Sequence, residues 1–125
     1  MTPLHYAVQH DNGGLVVLLL TKGADLEARD DAGRTPLHLA AARNSMETAD
    51  LLFARGAKVN ARDKNGATPL HAAASLGHSG MAYLLIDHKA HLAARDNDGN
   101  TPLALAIREK HANIVELLRQ AGAKN

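Results

Sequence analysis

The chain has 125 residues with a formal net charge of +1, from 14 basic and 13 acidic residues, and contains no cysteine. This balance argues against a general binder of nucleic acids or anionic membranes, which usually has a strongly basic face. The lack of cysteine excludes disulfides and thiolate metal sites. With aromatic residues at 2%, the core must consist mainly of Leu, Ala, Val and Ile.

A four-residue motif recurs along the whole chain. Thr-Pro-Leu-His occupies residues 2–5, 35–38 and 68–71, and Thr-Pro-Leu-Ala follows at 101–104, always 33 residues apart. A fixed period of this size predicts a stacked-repeat solenoid. We therefore expect a single domain over residues 1–125. Its units are a partial first one at 1–29, then 30–62, 63–95 and a C-terminal cap at 96–125.

The partial first unit begins within the motif and contains the longest apolar run, residues 15–20. That run is far too short to cross a bilayer. No basic segment with an apolar stretch behind it marks a signal peptide. We expect a cytoplasmic protein.

The second unit shows the predicted elements in full. Asp30-Asp31-Ala32-Gly33 predicts a tight turn, and Asn-Gly or Asp-Gly stands at the same place in the next two units. Thr35 is a predicted helix N-cap with Pro36 in the first helical position. We expect a first helix over 37–43, a turn at 44–45 and a second helix over about 46–55, which Gly56 ends in a left-handed conformation.

Equivalent leucines recur through the units in three columns that we expect to form the core. The columns are Leu4, Leu37, Leu70 and Leu103; Leu18, Leu51, Leu84 and Leu117; and Leu19, Leu52, Leu85 and Leu118. One unit cannot bury its apolar face alone, so these columns should meet by stacking.

Together these residues carry a resemblance. Thr-Pro-Leu-His-x-Ala-Ala, a double Leu and Gly-Ala at a period of 33 residues resemble the ankyrin repeat family over essentially the whole chain. The resemblance implies an all-α repeat solenoid of helix–turn–helix units joined by β-hairpin loops. It also implies recognition of another protein, without catalysis or cofactor, through the hairpin tips and a concave groove.

Departures from the family pattern lie in the turns and in the last unit. Asn44-Ser45 replaces the usual Gly-His, and Lys89 and Lys110 occupy glycine positions, where we expect strain. In the last unit, Ala104 replaces the motif histidine and Arg119 an apolar residue, as in a capping repeat.

The first unit has no comparable polar residues on its apolar run. We expect either that the chain is a piece of a longer array or that this end pairs with another surface. A monomer is the primary expectation, and self-association through the uncapped N-terminal unit is the alternative.

The eight histidines invite a metal hypothesis, which the pattern disfavours. By the resemblance, His5, His38 and His71 are structural and bond the motif threonine and nearby backbone. His88-x-x-His91 lacks a third ligand nearby in sequence, so we expect no metal site. No Ser-His-Asp order, Gly-rich phosphate loop or His-Glu-x-x-His motif suggests an enzyme.

Ala-Arg-Asp precedes each hairpin and places Arg29, Arg62 and Arg95 in a row. One interpretation is a structural hairpin with local Arg–Asp pairs. The other is a basic ladder that binds an acidic partner segment.

By the resemblance, further partner-binding residues lie at the tips and in the groove. Those at the tips are Asp31, Arg34, Lys64, Asn65, Asn97, Asp98 and Asn100. Those in the groove are Arg43, Ser75, Leu76, Arg108 and Glu109. The primary hypothesis is an adaptor module for an unidentified protein. The alternatives are an engineered or dissected scaffold without a natural target, and a small inhibitor of an enzyme.

Overall fold

A computed structural model describes residues 1–124, in which eight helices form four successive pairs and no strand occurs. The pairs are α1 (Pro3–Gln9) with α2 (Gly13–Thr21), α3 (Pro36–Arg43) with α4 (Met46–Ala54), α5 (Pro69–Leu76) with α6 (Ser79–Asp87), and α7 (Pro102–Arg108) with α8 (Ala112–Gln120). The predicted all-α repeat fold is confirmed. The unit boundaries stay a proposal.

Each first helix begins at the motif, as predicted. In α3 the Thr35 hydroxyl oxygen accepts the His38 N–H, and Nδ1 of His38 accepts the Thr35 N–H. These reciprocal bonds satisfy two backbone donors that a helix start leaves without partners. Pro36 is the first helical residue, where its missing N–H has no cost.

The pairs stack in two layers. Helices α1, α3, α5 and α7 contact one another in order, and so do α2, α4, α6 and α8. Small side chains fill the first layer, where Ala40, Ala41, Ala73 and Ala74 are fully buried. Because alanine adds only a methyl group, neighbouring helices can approach closely.

The leucine columns form the core, with one correction. The column of Leu37 is buried throughout, and the column of Leu52 is buried except for Leu19, which is half-buried. Leu18 was predicted to be buried with its column, but it is 51% exposed. Leu51 and its later equivalents are half-buried. Because Leu117 of the last unit is also half-buried, this position is covered by the preceding unit.

Two lysines occupy left-handed backbone positions. Lys89 has φ +72° where Gly56 has φ +90°, and Lys110 has φ +62° where Gly77 has φ +80°. A residue with a Cβ in this region costs roughly 1–2 kcal/mol. The predicted strain at these two positions is present in the backbone.

We expect Leu52→Ala to lower the free energy of unfolding by about 2–5 kcal/mol, because it opens a cavity in a fully buried site. Leu18→Ala is the matched control and should change it by less than about 0.5 kcal/mol. Urea denaturation at low micromolar protein measures both. Equal losses in the two variants would contradict this assignment of core and surface.

Candidate functional site

Each hairpin loop is closed by an aspartate. In the first hairpin, Oδ1 of Asp30 accepts the N–H groups of Ala32 and Arg34 at 3.0 and 2.9 Å. Asp63 and Asp96 make the equivalent bonds in the next two hairpins. The tight turns predicted at these places are therefore present.

The carboxylate of Asp30 also pairs with a guanidinium, since Nε of Arg34 lies 2.9 Å from Oδ2. Burial by itself raises the pKa of Asp30, but the N–H donors of Arg34 and Ala32 and the Arg34 charge outweigh it. The net result is a pKa below the ordinary value of 3.8. The turn therefore favours the ionised aspartate.

Backbone bonds join successive hairpins into one row. The Lys64 N–H donates to the Ala32 carbonyl at 3.0 Å, and the Asn97 N–H donates to the Asn65 carbonyl at 2.8 Å. The Asn97 side chain adds a bond to the Lys64 carbonyl at 2.9 Å. These bonds therefore hold the hairpin tips in fixed relative positions without a bound partner.

The arginine row bonds backbone carbonyls, so the predicted local Arg–Asp pairing is wrong for these three residues. Arg29 donates to the Gly33 carbonyl in its own hairpin and to the Arg62 carbonyl in the next. Arg62 donates to the Arg95 carbonyl, and Arg95 to the Gly99 carbonyl. Arg29 and Arg62 thus link successive hairpins, whereas Arg95 bonds within its own hairpin. Their side chains remain exposed, and a further contact with an acidic partner stays a prediction.

Each motif histidine joins its own unit to the next. Nε2 of His38 lies 2.8 Å from the Ala67 carbonyl oxygen, which can only accept, so Nε2–H donates. Nδ1 accepts the Thr35 N–H at 3.1 Å. His5 and His71 repeat this arrangement with the carbonyls of Arg34 and Asn100. The predicted structural role of these histidines is confirmed.

The fold favours the uncharged form of two of these rings. Burial lowers the pKa of His38 and of His71 below the ordinary value of 6.5, although carbonyl hydrogen bonds and nearby carboxylates act in the opposite direction. The geometry agrees with this direction, because a proton on Nδ1 of His38 would point at the Thr35 N–H.

A second set of histidines bridges units near the groove. Nε2–H of His78 donates to the Ala42 carbonyl and that of His111 to the Ser75 carbonyl, both at 3.0 Å. Ser45 occupies the equivalent place between the first two units, where its hydroxyl donates instead to Asp11 at 3.4 Å. The bridge to the first unit is therefore made differently.

The groove surface is formed by two residues at the C-terminal end of each first helix. In α3 and α5 they are the last two helical residues, and in α1 and α7 they are the last helical residue and the one that follows it. Its members are Gln9, His10, Ala42, Arg43, Ser75, Leu76, Arg108 and Glu109. Leu76 is 53% exposed, and Arg43 makes no hydrogen bond or ion pair with any described residue. Arg108 and Glu109 form an exposed ion pair at 3.2 Å, a type that contributes little stability.

The predicted partner-binding residues divide into two groups by what their side chains already contact. Engaged side chains are those of Arg29, Arg34, Arg62, Arg95, Asn97, Arg108 and Glu109. Side chains without a bond to the described part of the chain are those of Asp31, Arg43, Lys64, Asn65, Ser75, Leu76, Asp98 and Asn100.

The roles of the engaged residues were not predicted from the sequence. Asn97 connects two hairpins, and Arg29 and Arg62 each bond a carbonyl of the following hairpin. The recurrence of arginine at one position was a signal for a structural role. The acceptors of these arginines could not be identified from the sequence, because every residue has a backbone carbonyl oxygen.

The remaining histidines do not assemble a metal site. His88 stacks on Phe53, with ring centroids 3.9 Å apart and planes 7° apart. Within residues 1–124 no group of three His, Asp or Glu side chains is placed to hold a metal ion. No helix in that range is long and apolar enough to cross a membrane. The cytoplasmic location stays a prediction.

Comparison with known proteins gives the family. A family model described as ankyrin repeats in three copies matches residues 1–63 and again 56–125. The chain therefore belongs to the ankyrin repeat family, whose members are generally non-catalytic and bind other proteins. The resemblance inferred from the repeated motif is confirmed.

A curated relative is similar over one unit's length. The ankyrin repeat and LEM domain-containing protein 1 homolog of Caenorhabditis elegans is 59% identical over 34 residues, which is 27% of this chain. The match spans 5% of that protein. The similarity therefore concerns the repeat itself.

We expect Gly33→Ala to cost more stability than Gly99→Ala, although both glycines have a left-handed φ, +75° and +82°. A Cβ at Gly33 would lie 2.8 Å from the Lys64 nitrogen, whereas one at Gly99 would meet nothing within 4 Å. The control should cost roughly 1–2 kcal/mol from the backbone conformation alone. Gly33→Ala should exceed this, because it also separates two hairpins. Urea denaturation compares them, and equal costs would contradict the close approach.

We expect the free energy of unfolding to fall as the pH drops below about 6.5, the ordinary histidine value. In that range the unfolded chain binds protons that folded His38 and His71 do not, so acid favours unfolding. Each histidine contributes up to roughly 1.4 kcal/mol per pH unit. Urea denaturation from about pH 7.5 to pH 5 avoids most carboxylate titration.

Two variants test the origin of this slope. His38→Ala should flatten it, because the ring that resists protonation is gone. The helix cap should survive, since Ala104 keeps its N–H bond to the Thr101 hydroxyl in the last unit. Leu18→Ala changes no titratable group, so it serves as the control and should keep the wild-type slope. An unchanged slope in His38→Ala would contradict the assignment.

Proposed function

We propose that this chain is a non-catalytic interaction module that binds another protein through its groove surface and hairpin tips. The observation that carries the proposal is the pair Arg43 and Leu76. They end the neighbouring helices α3 and α5, and both side chains are exposed without a polar partner in the described chain.

The spacing of this pair defines what a partner must offer. Packed helices lie about 8–10 Å apart, so Arg43 and Leu76 sit at about that separation on adjacent helix ends. Arginine is enriched among the residues that dominate interface energies. A partner segment with a carboxylate facing Arg43 and an apolar side chain facing Leu76 would match both.

The hairpin tips extend this surface with charges of both signs. Asp31, Lys64 and Asp98 are exposed in successive hairpins, and none of their side chains bonds another described residue. Because backbone bonds fix the hairpins relative to one another, these charges are presented in one arrangement. Such preorganisation reduces the entropy that binding would otherwise cost.

The experiment compares capture of partners by the wild type and by a groove variant. The variant combines Arg43→Ala, Leu76→Ala and Arg108→Ala, all at exposed positions, so its thermal melt should match the wild type. Proteins captured from an extract of the source cell are quantified by mass spectrometry. A purified candidate is then titrated by calorimetry, and we expect binding at least about tenfold weaker for the variant.

A matched control carries three alanines on exposed positions of the second helices, Glu47, Tyr83 and Glu116. It should bind the candidate as the wild type does. The proposal would be contradicted if this control lost binding while the groove variant bound fully. That result would place the interface on the second helices. Failure of the wild type to bind any captured candidate after purification would also contradict it.

A further inference from the structure

Arg29, Arg62 and Arg95 form a row of like charge, with one residue at each of three successive hairpins. We call these three residues the arginine ladder. Arg29 donates to the Arg62 carbonyl, and Arg62 donates to the Arg95 carbonyl. Backbone bonds join the same hairpins. The guanidinium groups are therefore held in a fixed order along the stack, and a partner with matching spacing can recognise them.

The bonds within the stack leave most donors of the ladder unused. A guanidinium group has five N–H donors. Arg29 uses two of them for carbonyl oxygens, and Arg62 and Arg95 use one each. All three side chains are exposed. Each can therefore still bind a carboxylate through two parallel N–H donors, which is the geometry that arginine favours.

Within residues 1–124 no carboxylate forms an ion pair with the ladder. The ion pairs found there involve Arg34 and Arg108. An aspartate follows each ladder arginine in sequence, but Asp30 is buried and Asp63 and Asp96 are half-buried. Each of these aspartates uses Oδ1 to accept N–H groups of its own turn. A partner therefore meets the exposed guanidinium groups before it meets these carboxylates.

The pitch of the ladder follows from the stacking of the units. The period of 33 residues places the three arginines at equivalent positions. Equivalent residues of neighbouring units are separated by about the distance between packed helices, which is roughly 8–10 Å. Successive guanidinium groups are therefore about 8–10 Å apart.

This pitch favours one conformation of a bound chain. A polyproline II segment rises about 3.1 Å per residue with three residues per turn, so every third side chain returns to the same face after about 9.3 Å. Side chains on one face of a β-strand are about 6.6 or 13 Å apart. Residues seven apart on an α-helix are separated by about 10.5 Å. Only the polyproline II spacing falls within the range of the ladder.

We propose that the arginine ladder binds an acidic segment of the partner protein that is extended as polyproline II and has a carboxylate at every third residue. Three such carboxylates would each face one guanidinium group. The inference rests on the proposed function, because the hairpins provide part of the proposed binding surface. It adds the charge, the backbone conformation and the residue spacing of the segment that is bound.

Titration of the protein into labelled peptides tests this spacing. The triplet probe has three consecutive Glu-Pro-Pro triplets, and the clustered probe has the same composition with its three Glu residues adjacent. At about 0.1 M salt the screening length is about 10 Å, so each carboxylate senses mainly the guanidinium group that faces it. Each exposed ion pair changes affinity by up to about fivefold. We therefore expect the triplet probe to bind the wild type about tenfold more tightly in fluorescence anisotropy.

A variant of the central arginine tests whether the ladder is the site. Arg62→Gln removes one charge and keeps an amide that can donate to the Arg95 carbonyl, and it should reduce the preference for the triplet probe to about twofold. Lys22→Gln is the matched control, since Lys22 is exposed at the end of α2 and its side chain makes no bond with the described chain. This control changes the net charge equally and should keep the wild-type preference. Urea denaturation verifies that both variants are folded.

Several results would overturn the proposal. Equal binding of both probes would show that only net charge matters, and an unchanged preference in Arg62→Gln would place the site elsewhere. Tighter binding of a helical peptide with Glu at every seventh residue would contradict the conformation, and absence of binding up to about 1 mM protein would contradict the site itself. Failure of the proposed function is distinguishable from these results, because a partner captured through Arg43 and Leu76 would support that function even if the ladder bound no acidic probe.

Discussion

Contact between successive units is the constraint on which this structure depends. The first helices bury alanines against their neighbours, and each motif histidine donates from Nε2 to a carbonyl of the next unit. A hydrogen bond in a buried site has a large cost if it is lost. The helix cap and the inter-unit bond share one imidazole, so local helix geometry and stacking are coupled through a single side chain. The bond from the Thr35 N–H to Nδ1 requires the neutral ring, whereas Nε2–H can donate to the carbonyl in either charge state.

The same 33-residue spacing organises the hairpins. Asp30 closes its own turn, and the row of backbone bonds then connects that turn to the next one. Glycine is required at position 33 for two reasons: its φ is left-handed, and the neighbouring Lys64 nitrogen leaves no room for a Cβ. Gly99 has only the first requirement. Identical residues in the repeat therefore carry unequal energetic weight, according to whether a unit follows them.

This inequality explains how far the sequence could predict the structure. The helix starts, the turns, the motif histidines and the repeat fold follow from a pattern visible within one unit. Leu18 was misassigned because its column looks uniform in sequence, while its burial depends on a preceding neighbour. The local Arg–Asp pairing was wrong because Arg29 and Arg62 bond backbone carbonyls of the next hairpin. Both errors concern contacts between units, and a pattern that repeats within each unit does not show these contacts. Binding also depends on the partner's surface. The sequence could therefore predict the region of the candidate site but not which of its exposed residues bind a partner.

A division of roles connects the fold to the proposed binding surface. The polar residues that repeat, such as His38 and Arg62, use their donors inside the stack. The residues that differ between units at the groove, such as Arg43 and Leu76, form no bond with the described chain. The framework can thus stay constant while the groove changes, because substitution there breaks no inter-unit contact.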